Sequence, residues 1–177
     1  MSAGDQSTAR SGVRLDVRGH GSASVETGLP VLDSLIERLA QVARFDLVLE
    51  LEPGDAAAEV EAAGDALGEA FAGPLRAPGA TGWGAASLTS AEALAHVALE
   101  TSDQSLLVSN VDLTQARIGG LDTDVARSFL EHFAARAGLV LHLRLLNGTD
   151  TQHVLESIFK ALGAALSQAC TRQGGSP

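Results

Sequence analysis

An internal repeat is the feature of this sequence that most constrains its fold. The tripeptide Ala-Leu-Gly at 66–68 occurs again at 161–163, and Glu61 precedes Glu156 by the same 95 positions. A three-residue match carries little weight in an alanine-rich chain, but the order of predicted elements also repeats. Each half contains a helix, a strand, a loop with glycine and a second helix. We therefore predict that the chain arose by duplication of one unit.

The hydrophobic pattern predicts the elements of each unit. Alternating apolar residues predict strands at 13–17, 45–51, 93–101, 105–111 and 139–145, and residues 22–27 are the predicted partner strand of the first. Helical spacing predicts a helix after Pro30, an alanine-rich helix at 57–72, a helix capped near Asp122 and a last helix that carries Leu155 and Leu166. Two such units bury their helices against each other between two sheets, which is an α+β sandwich.

The length suits one domain with a shared core. We expect this domain at 13–170, divided into repeats at about 13–78 and 79–170 by a loop rich in Gly, Ala and Pro. Residues 1–12 and 171–177 are expected to be flexible tails. No apolar run approaches the length of a membrane helix and no export signal is recognisable, so we expect a cytoplasmic protein without a membrane segment.

Charge and cysteine content exclude some classes of function. The formal net charge of −10 argues against nucleic acid or an anionic membrane as the main partner, because both bind basic patches. Cys170 is the chain's one cysteine, which rules out an internal disulfide. We expect Cys170 to be a small buried residue near the end of a helix.

Three polar residues near the start of the last helix form the best candidate site. Gln152, His153 and Glu156 are spaced to share one helix face, where they suit a divalent metal or the sharing of a proton. An exposed polar stripe at the start of a helix is the simpler explanation of the same pattern. Of the other histidines, those at 96 and 142 are most simply packed or surface residues, while His20 falls in a turn and His132 lies on a helix face. Glu61 and Glu69 are most simply solvated helix positions.

Several separated segments resemble one known family. The segment TGLPVLDSL at 27–35 looks like the Thr-Gly-Ile-x-Phe-Phe-Asp-His-Met segment of imidazoleglycerol-phosphate dehydratases. RFDLVLE at 44–50 and RIGGLDTD at 117–124 are similar to further segments of that family, and the strongest similarity lies at 139–166. The resemblance implies a duplicated fold of the ribosomal S5 domain 2-like type, with β-β-α-β-α halves and helices between two four-stranded sheets. It also implies a relation to histidine biosynthesis.

The resemblance implies a site that this sequence carries in part. The family places a His-His-x-x-Glu motif at a helix start in each half, and these motifs hold two manganese ions with one further histidine per half. Here the motifs read AAEVE at 57–61, which retains Glu61, and QHVLE at 152–156, which retains His153 and Glu156. The further histidines correspond to Ser34 and Ser128, so one of six histidine ligands remains.

The resemblance also assigns residues to phosphate binding. Arg117 and Lys160 correspond to a family arginine and lysine that bind the substrate phosphate, whereas a second arginine corresponds to Gly82. Ordinary surface charge is the alternative for both residues.

A second feature of the family, its assembly from trimers into a 24-subunit particle, implies a homo-oligomer here.

Three hypotheses for function follow. The first is a catalytically degenerate paralogue without a bound cofactor, which binds a small phosphorylated ligand or assembles with an intact homologue. The second is a carbon–oxygen lyase that is still active, alone or in a mixed assembly. The third is a metal-free enzyme that uses Glu61, His153 and Glu156 for acid–base chemistry. We favour the first, with Glu61 and Glu156 as remnants of catalytic residues and His153 as the remnant metal ligand.

Overall fold

The computed structural model describes the backbone of residues 12–111, 117–118 and 121–171, and the side chains of 12–111 and 125–171. The first half contains β1 (Gly12–Asp16), β2 (Ala23–Glu26), α1 (Pro30–Ala43), β3 (Asp46–Glu50) and α2 (Ala56–Leu75). The second half contains β4 (Trp83–Ser90), β5 (Ala93–Thr101), β6 (Leu106–Ser109), β7 (Arg117–Ile118), β8 (Leu121–Asp122), α3 (Thr123–Ala137), β9 (Leu139–Asn147) and α4 (Thr151–Cys170). The predicted α+β class is confirmed.

Strand pairing follows the same pattern in both halves. The first sheet has the order β1-β3-β2 and the second has the order β4-β5-β9-β6. β3 pairs antiparallel with β1 and parallel with β2, and β9 pairs antiparallel with β5 and parallel with β6. Within the described ranges the first sheet has three strands, and β4 is the additional strand of the second.

The prediction that 22–27 pairs with the first strand was wrong. β2 pairs parallel with β3, and the helix α1 makes the connection between them. Parallel strands need such a crossover, whereas a hairpin joins antiparallel strands. The Asp46 carboxylate holds the intervening loop by accepting the backbone N–H groups of His20 at 2.8 Å and Ser22 at 3.0 Å. These two bonds lower the pKa of Asp46.

Local sequence explains where the helices begin. α1 starts at Pro30, whose fixed φ suits the first turn, and Asp33 Oδ1 accepts the backbone N–H of Thr27 at 2.9 Å. α2 and α4 are both capped by an aspartate, because Asp55 accepts from the Ala58 N–H at 2.9 Å and Asp150 from the His153 N–H at 3.1 Å. The two caps occupy equivalent positions of the repeat.

Each helix of the first half packs against a helix of the second half, between the two sheets. α1 packs on α4, and α2 packs on α3. Two repeat glycines permit the close approach, since a Cβ atom on Gly68 or on Gly163 would come within 3.0 Å of the backbone oxygen of Phe133 or Leu39, respectively. The repeated Ala-Leu-Gly tripeptide therefore marks the two helix crossings.

Aromatic side chains connect the halves through the core. All five phenylalanines of the chain are buried. Their ring centroids lie 5.4 Å apart for Phe45 and Phe71, 5.8 Å for Phe71 and Phe133, 6.3 Å for Phe133 and Phe129, and 5.6 Å for Phe129 and Phe159. Such pairs stabilise a core beyond the area they bury. Among the described residues, no helix is long and apolar enough to cross a membrane.

Candidate functional site

The start of α4 carries the residues predicted from the spacing of the last helix. Gly148 turns the chain out of β9 with a φ of 146°, and Asp150 then caps the helix. Gln152 is exposed, while His153 and Glu156 are partly exposed. Gln152 Nε2 donates to Glu156 Oε1 at 3.2 Å, so these two residues share one helix face as predicted.

Glu92 is the main partner of His153. Its Oε2 atom lies 2.6 Å from His153 Nδ1, and its Oε1 atom accepts the backbone N–H of Asp150 at 2.9 Å. The Asp150 N–H is the largest cause that lowers the pKa of Glu92 to about 2. The hydrogen bond with Glu92 in turn raises the pKa of His153. A carboxylate anchored by the backbone thus holds the ring from one side.

The Glu156 carboxylate is bound by Ser90, which lies two positions before Glu92 in the chain. Ser90 Oγ donates to Glu156 Oε2 at 2.6 Å, and this bond is the largest cause that lowers the Glu156 pKa. Gln152 and the charge of Arg38 act in the same direction. Glu156 therefore stays ionised and accepts hydrogen bonds at both oxygens.

Ser90, Ala91 and Glu92 form the tip of the β4–β5 hairpin, called here the hairpin tip, and sequence reasoning missed it. Ala91 has a φ of 49°, a left-handed conformation that usually signals Gly or Asn in a two-residue turn. Without either residue, the turn had no local signal. The tip reaches α4 across 61 positions for Glu92 and 66 for Ser90, which no local pattern predicts.

The start of α2 is the equivalent site in the first half. Ala57, Ala58 and Glu61 are exposed there. Glu61 Oε1 lies 4.0 Å from Nε2 of His132, a residue of α3. His132 Nδ1 contacts Asp65 Oδ1 at 2.9 Å. In the part of the chain that the structure describes, no polar contact joins Glu61 to His153 or Glu156.

The residues assigned to phosphate binding lie on separate elements. Lys160 projects from α4, and its Nζ donates to the backbone oxygen of Thr89 at 2.6 Å, next to the hairpin tip. A lysine has three donors, so further donors remain available to an anion. Arg117 belongs to the short strand β7, and its side chain lies outside the described residues. Its predicted role stays a prediction.

The remaining histidines have partners of their own or face solvent. His96 Nδ1 contacts Ser87 Oγ at 2.7 Å on the second sheet, and His142 is exposed on β9. His20 is exposed in the loop that Asp46 holds. His132, which the sequence placed on a helix face, lies on α3 and bridges it to α2 through Asp65.

The fold and the sites define a class of proteins: duplicated α+β domains with a polar motif at the start of the equivalent helix in each half. The family model for imidazoleglycerol-phosphate dehydratase matches residues 27–166. The chain belongs to the imidazoleglycerol-phosphate dehydratase family, as the motif resemblance predicted.

Similar proteins and structures carry the same family name. Imidazoleglycerol-phosphate dehydratase from Azoarcus sp. (strain BH72) is 38% identical over 95% of this chain and 88% of its own length. The enzyme from Aromatoleum aromaticum is 39% identical over 90% of this chain and 84% of its own. The crystal structure of the Staphylococcus aureus protein has a TM-score of 0.81 at 24% identity and covers 91% of this chain and 93% of that one. At that identity, the structural similarity shows the fold.

Several positions that the resemblance assigns to metal ligands carry a weak donor atom or none. Ala57 and Ala58 have no donor atom, and Gln152 offers a carbonyl oxygen at most. With Nδ1 of His153 in contact with Glu92, Nε2 is the ring nitrogen that remains for a ligand, and both oxygens of Glu156 accept hydrogen bonds within the chain. Across the described ranges, no three His, Cys, Asp or Glu side chains are grouped to hold a metal ion.

Proposed function

We propose that this chain is an imidazoleglycerol-phosphate dehydratase-like protein of histidine biosynthesis that has lost its two-manganese centre and its lyase activity. We further propose that it is cytoplasmic. The observation that carries the proposal is the pair Ala57 and Ala58, exposed at the start of α2 where the family places two histidines. Copies of the same chain carry the same alanines, so a symmetric assembly does not replace the missing donors.

The chemistry explains why this loss matters. In the family, manganese supplies positive charge to an anionic form of the substrate imidazole, a contribution commonly worth several kcal/mol. The retained Glu61, His153 and Glu156 keep both motif glutamates but only one of the six histidines that the resemblance implies. Serine at 34 and 128 is a poor ligand unless it is deprotonated.

Metal analysis combined with an activity assay tests the proposal. Protein purified without chelators and incubated with excess manganese is expected to retain less than one manganese ion per subunit after desalting. It is expected to show no dehydration of imidazoleglycerol phosphate. Two retained ions per subunit with robust turnover would mean that the chain is a working lyase. A relative with both motifs intact serves as the positive control.

A small phosphorylated molecule is the proposed ligand. Lys160 supports this role, because its ammonium group lies beside the hairpin tip with donors to spare. Imidazoleglycerol phosphate is expected to bind in calorimetric titration and to bind more weakly to Lys160→Gln. Arg144→Gln, at an exposed position of β9, is the matched control with the same loss of charge. Equal affinity for all three proteins would remove Lys160 from the ligand site.

We also propose that the chain forms a homo-oligomer, a trimer or larger, through the outer face of its second sheet. Among the side chains that the structure describes, four large apolar ones are exposed, and all belong to strands of this sheet: Trp83, Leu106, Val108 and Leu146. Strand register places Trp83, Glu100, Val140 and Leu106 in one row across the sheet. An exposed apolar patch of this kind is typical of a protein interface. Assembly with an intact homologue is the alternative, detected by co-purification from the native cell.

Metal-free acid–base chemistry is the second candidate, favoured by the Glu92–His153 contact. A carboxylate that orients a histidine is a common arrangement in proton transfer. Glu61 lies on α2, so within one chain only Glu156 is placed to act together with Glu92 and His153. This candidate requires an activity that chelators leave intact and that His153→Ala abolishes.

A further inference from the structure

The hairpin tip holds the two retained residues of the second motif by their side chains. Ser90 and Glu92 flank Ala91, and each makes a 2.6 Å contact with α4, to Glu156 and His153 respectively. The Glu92 carboxylate is itself fixed by the backbone N–H of Asp150 at the helix cap. The orientation of His153 therefore depends on a residue outside the motif.

The direction of the Glu92–His153 hydrogen bond follows from the charges. Glu92 is a carboxylate, and its Oε1 atom already accepts the backbone N–H of Asp150 at 2.9 Å. A carboxylate without a proton accepts hydrogen bonds and donates none, so Nδ1 of His153 must be the donor. When the ring is neutral, its lone pair then lies on Nε2.

We propose that Glu92 is a positioning residue, which fixes the ring orientation and the tautomer of His153 so that Nε2 is its single accepting nitrogen. The His153 side chain is 37% exposed, so part of the ring is accessible to a ligand. The inference stands on the contacts at the start of α4. It applies equally to a chain that has lost manganese and to one that still binds it.

Solid-state 15N NMR of histidine-labelled, sedimented protein tests this inference at any assembly size. The spectrum is recorded at alkaline pH, where the ring is neutral, and His153→Ala identifies the His153 signals. The wild-type ring is expected to show a protonated Nδ1 and a bare Nε2. In Glu92→Gln, the Asp150 N–H is expected to bind the single amide oxygen and leave the NH2 group facing Nδ1. The tautomer should then invert, as happens when an amide replaces a carboxylate beside a histidine.

His132 provides an internal control for the same experiment. Its Nδ1 contacts Asp65, so Glu92→Gln should leave the His132 signals unchanged, and Asp65→Asn should alter them without affecting His153. An unchanged far-ultraviolet circular dichroism spectrum establishes that each variant is folded. A wild-type His153 with its proton on Nε2, or an unchanged tautomer in folded Glu92→Gln, would overturn the inference.

Discussion

Single residues at the start of α4 make the stability of the protein depend on pH. The pKa of Glu92 falls from 4.5 to about 2 on folding, so its stabilising contribution is complete above pH 4.5 and is lost as pH falls through 2. The pKa of His153 is raised above 6.5, so its contribution is complete below 6.5 and is lost as pH rises through the raised value. Both contributions are therefore complete between pH 4.5 and pH 6.5.

We therefore expect the difference in urea midpoint between wild type and Glu92→Gln to be largest in mildly acidic solution. Unfolding at pH values of about 3, 5.5 and 9 measures it. The difference should shrink toward both extremes, because Glu92 takes up a proton in the unfolded chain below pH 4.5 and His153 loses its proton in alkaline solution. A difference that stays constant across all three conditions would show that the contact is not ionic.

Restoring ligands is a second prediction at the scale of residues. Histidine is introduced together at five positions, all exposed or partly exposed: Ser34, Ala57, Ala58, Ser128 and Gln152. The folded variant is expected to retain more manganese per subunit than wild type, measured by elemental analysis after desalting. Adding Glu61→Gln and Glu156→Gln should remove the gain. If the folded five-histidine variant gains no metal, then changes outside these positions also prevent binding.

Among the elements, the helix crossings are the most sensitive to volume. Gly163→Ala and Gly68→Ala each place a methyl group against a backbone oxygen and are expected to lower the free energy of unfolding by about 1–3 kcal/mol. Gly73→Ala is the matched control, because no atom lies within 4 Å of its added Cβ. Its greater helix propensity should stabilise α2 by about 0.5–1 kcal/mol. Chemical denaturation measures the free energy of unfolding of the three variants. Equal stability of Gly163→Ala and Gly73→Ala would contradict the prediction.

Elements with a clear period were predictable from sequence, and their partners were not. The alternation of apolar residues predicted β3 and β9. The repeated Ala-Leu-Gly tripeptide contains the glycines at the two helix–helix contacts, Gly68 and Gly163. The pairing of β2 with β3 was missed because local pattern does not specify which strands pair. At the site, helical spacing placed Gln152 and Glu156 on one face, but Ser90 and Glu92 come from a distant turn that lacks glycine.

For the whole molecule, our proposal is that the apolar outer face of the second sheet forms the assembly interface. Trp83→Glu places a second carboxylate beside Glu100, its neighbour on β5, and is expected to lower the oligomer mass. Ser24→Glu, exposed on the first sheet, is the control and should keep the wild-type mass. Analytical ultracentrifugation measures both. A Trp83→Glu protein of wild-type mass would place the interface elsewhere.

The crosswise packing of the helices also has a consequence for folding. Because α1 packs on α4 and α2 on α3, neither half encloses its own helices. The transition state must therefore bring together segments far apart in the chain, and high contact order makes folding slow for a protein with this much helix. Fragments separated between α2 and β4 should each remain largely unfolded, and mixing them should restore helical circular dichroism by complementation. Restored helicity on mixing would show that the two halves fold only together.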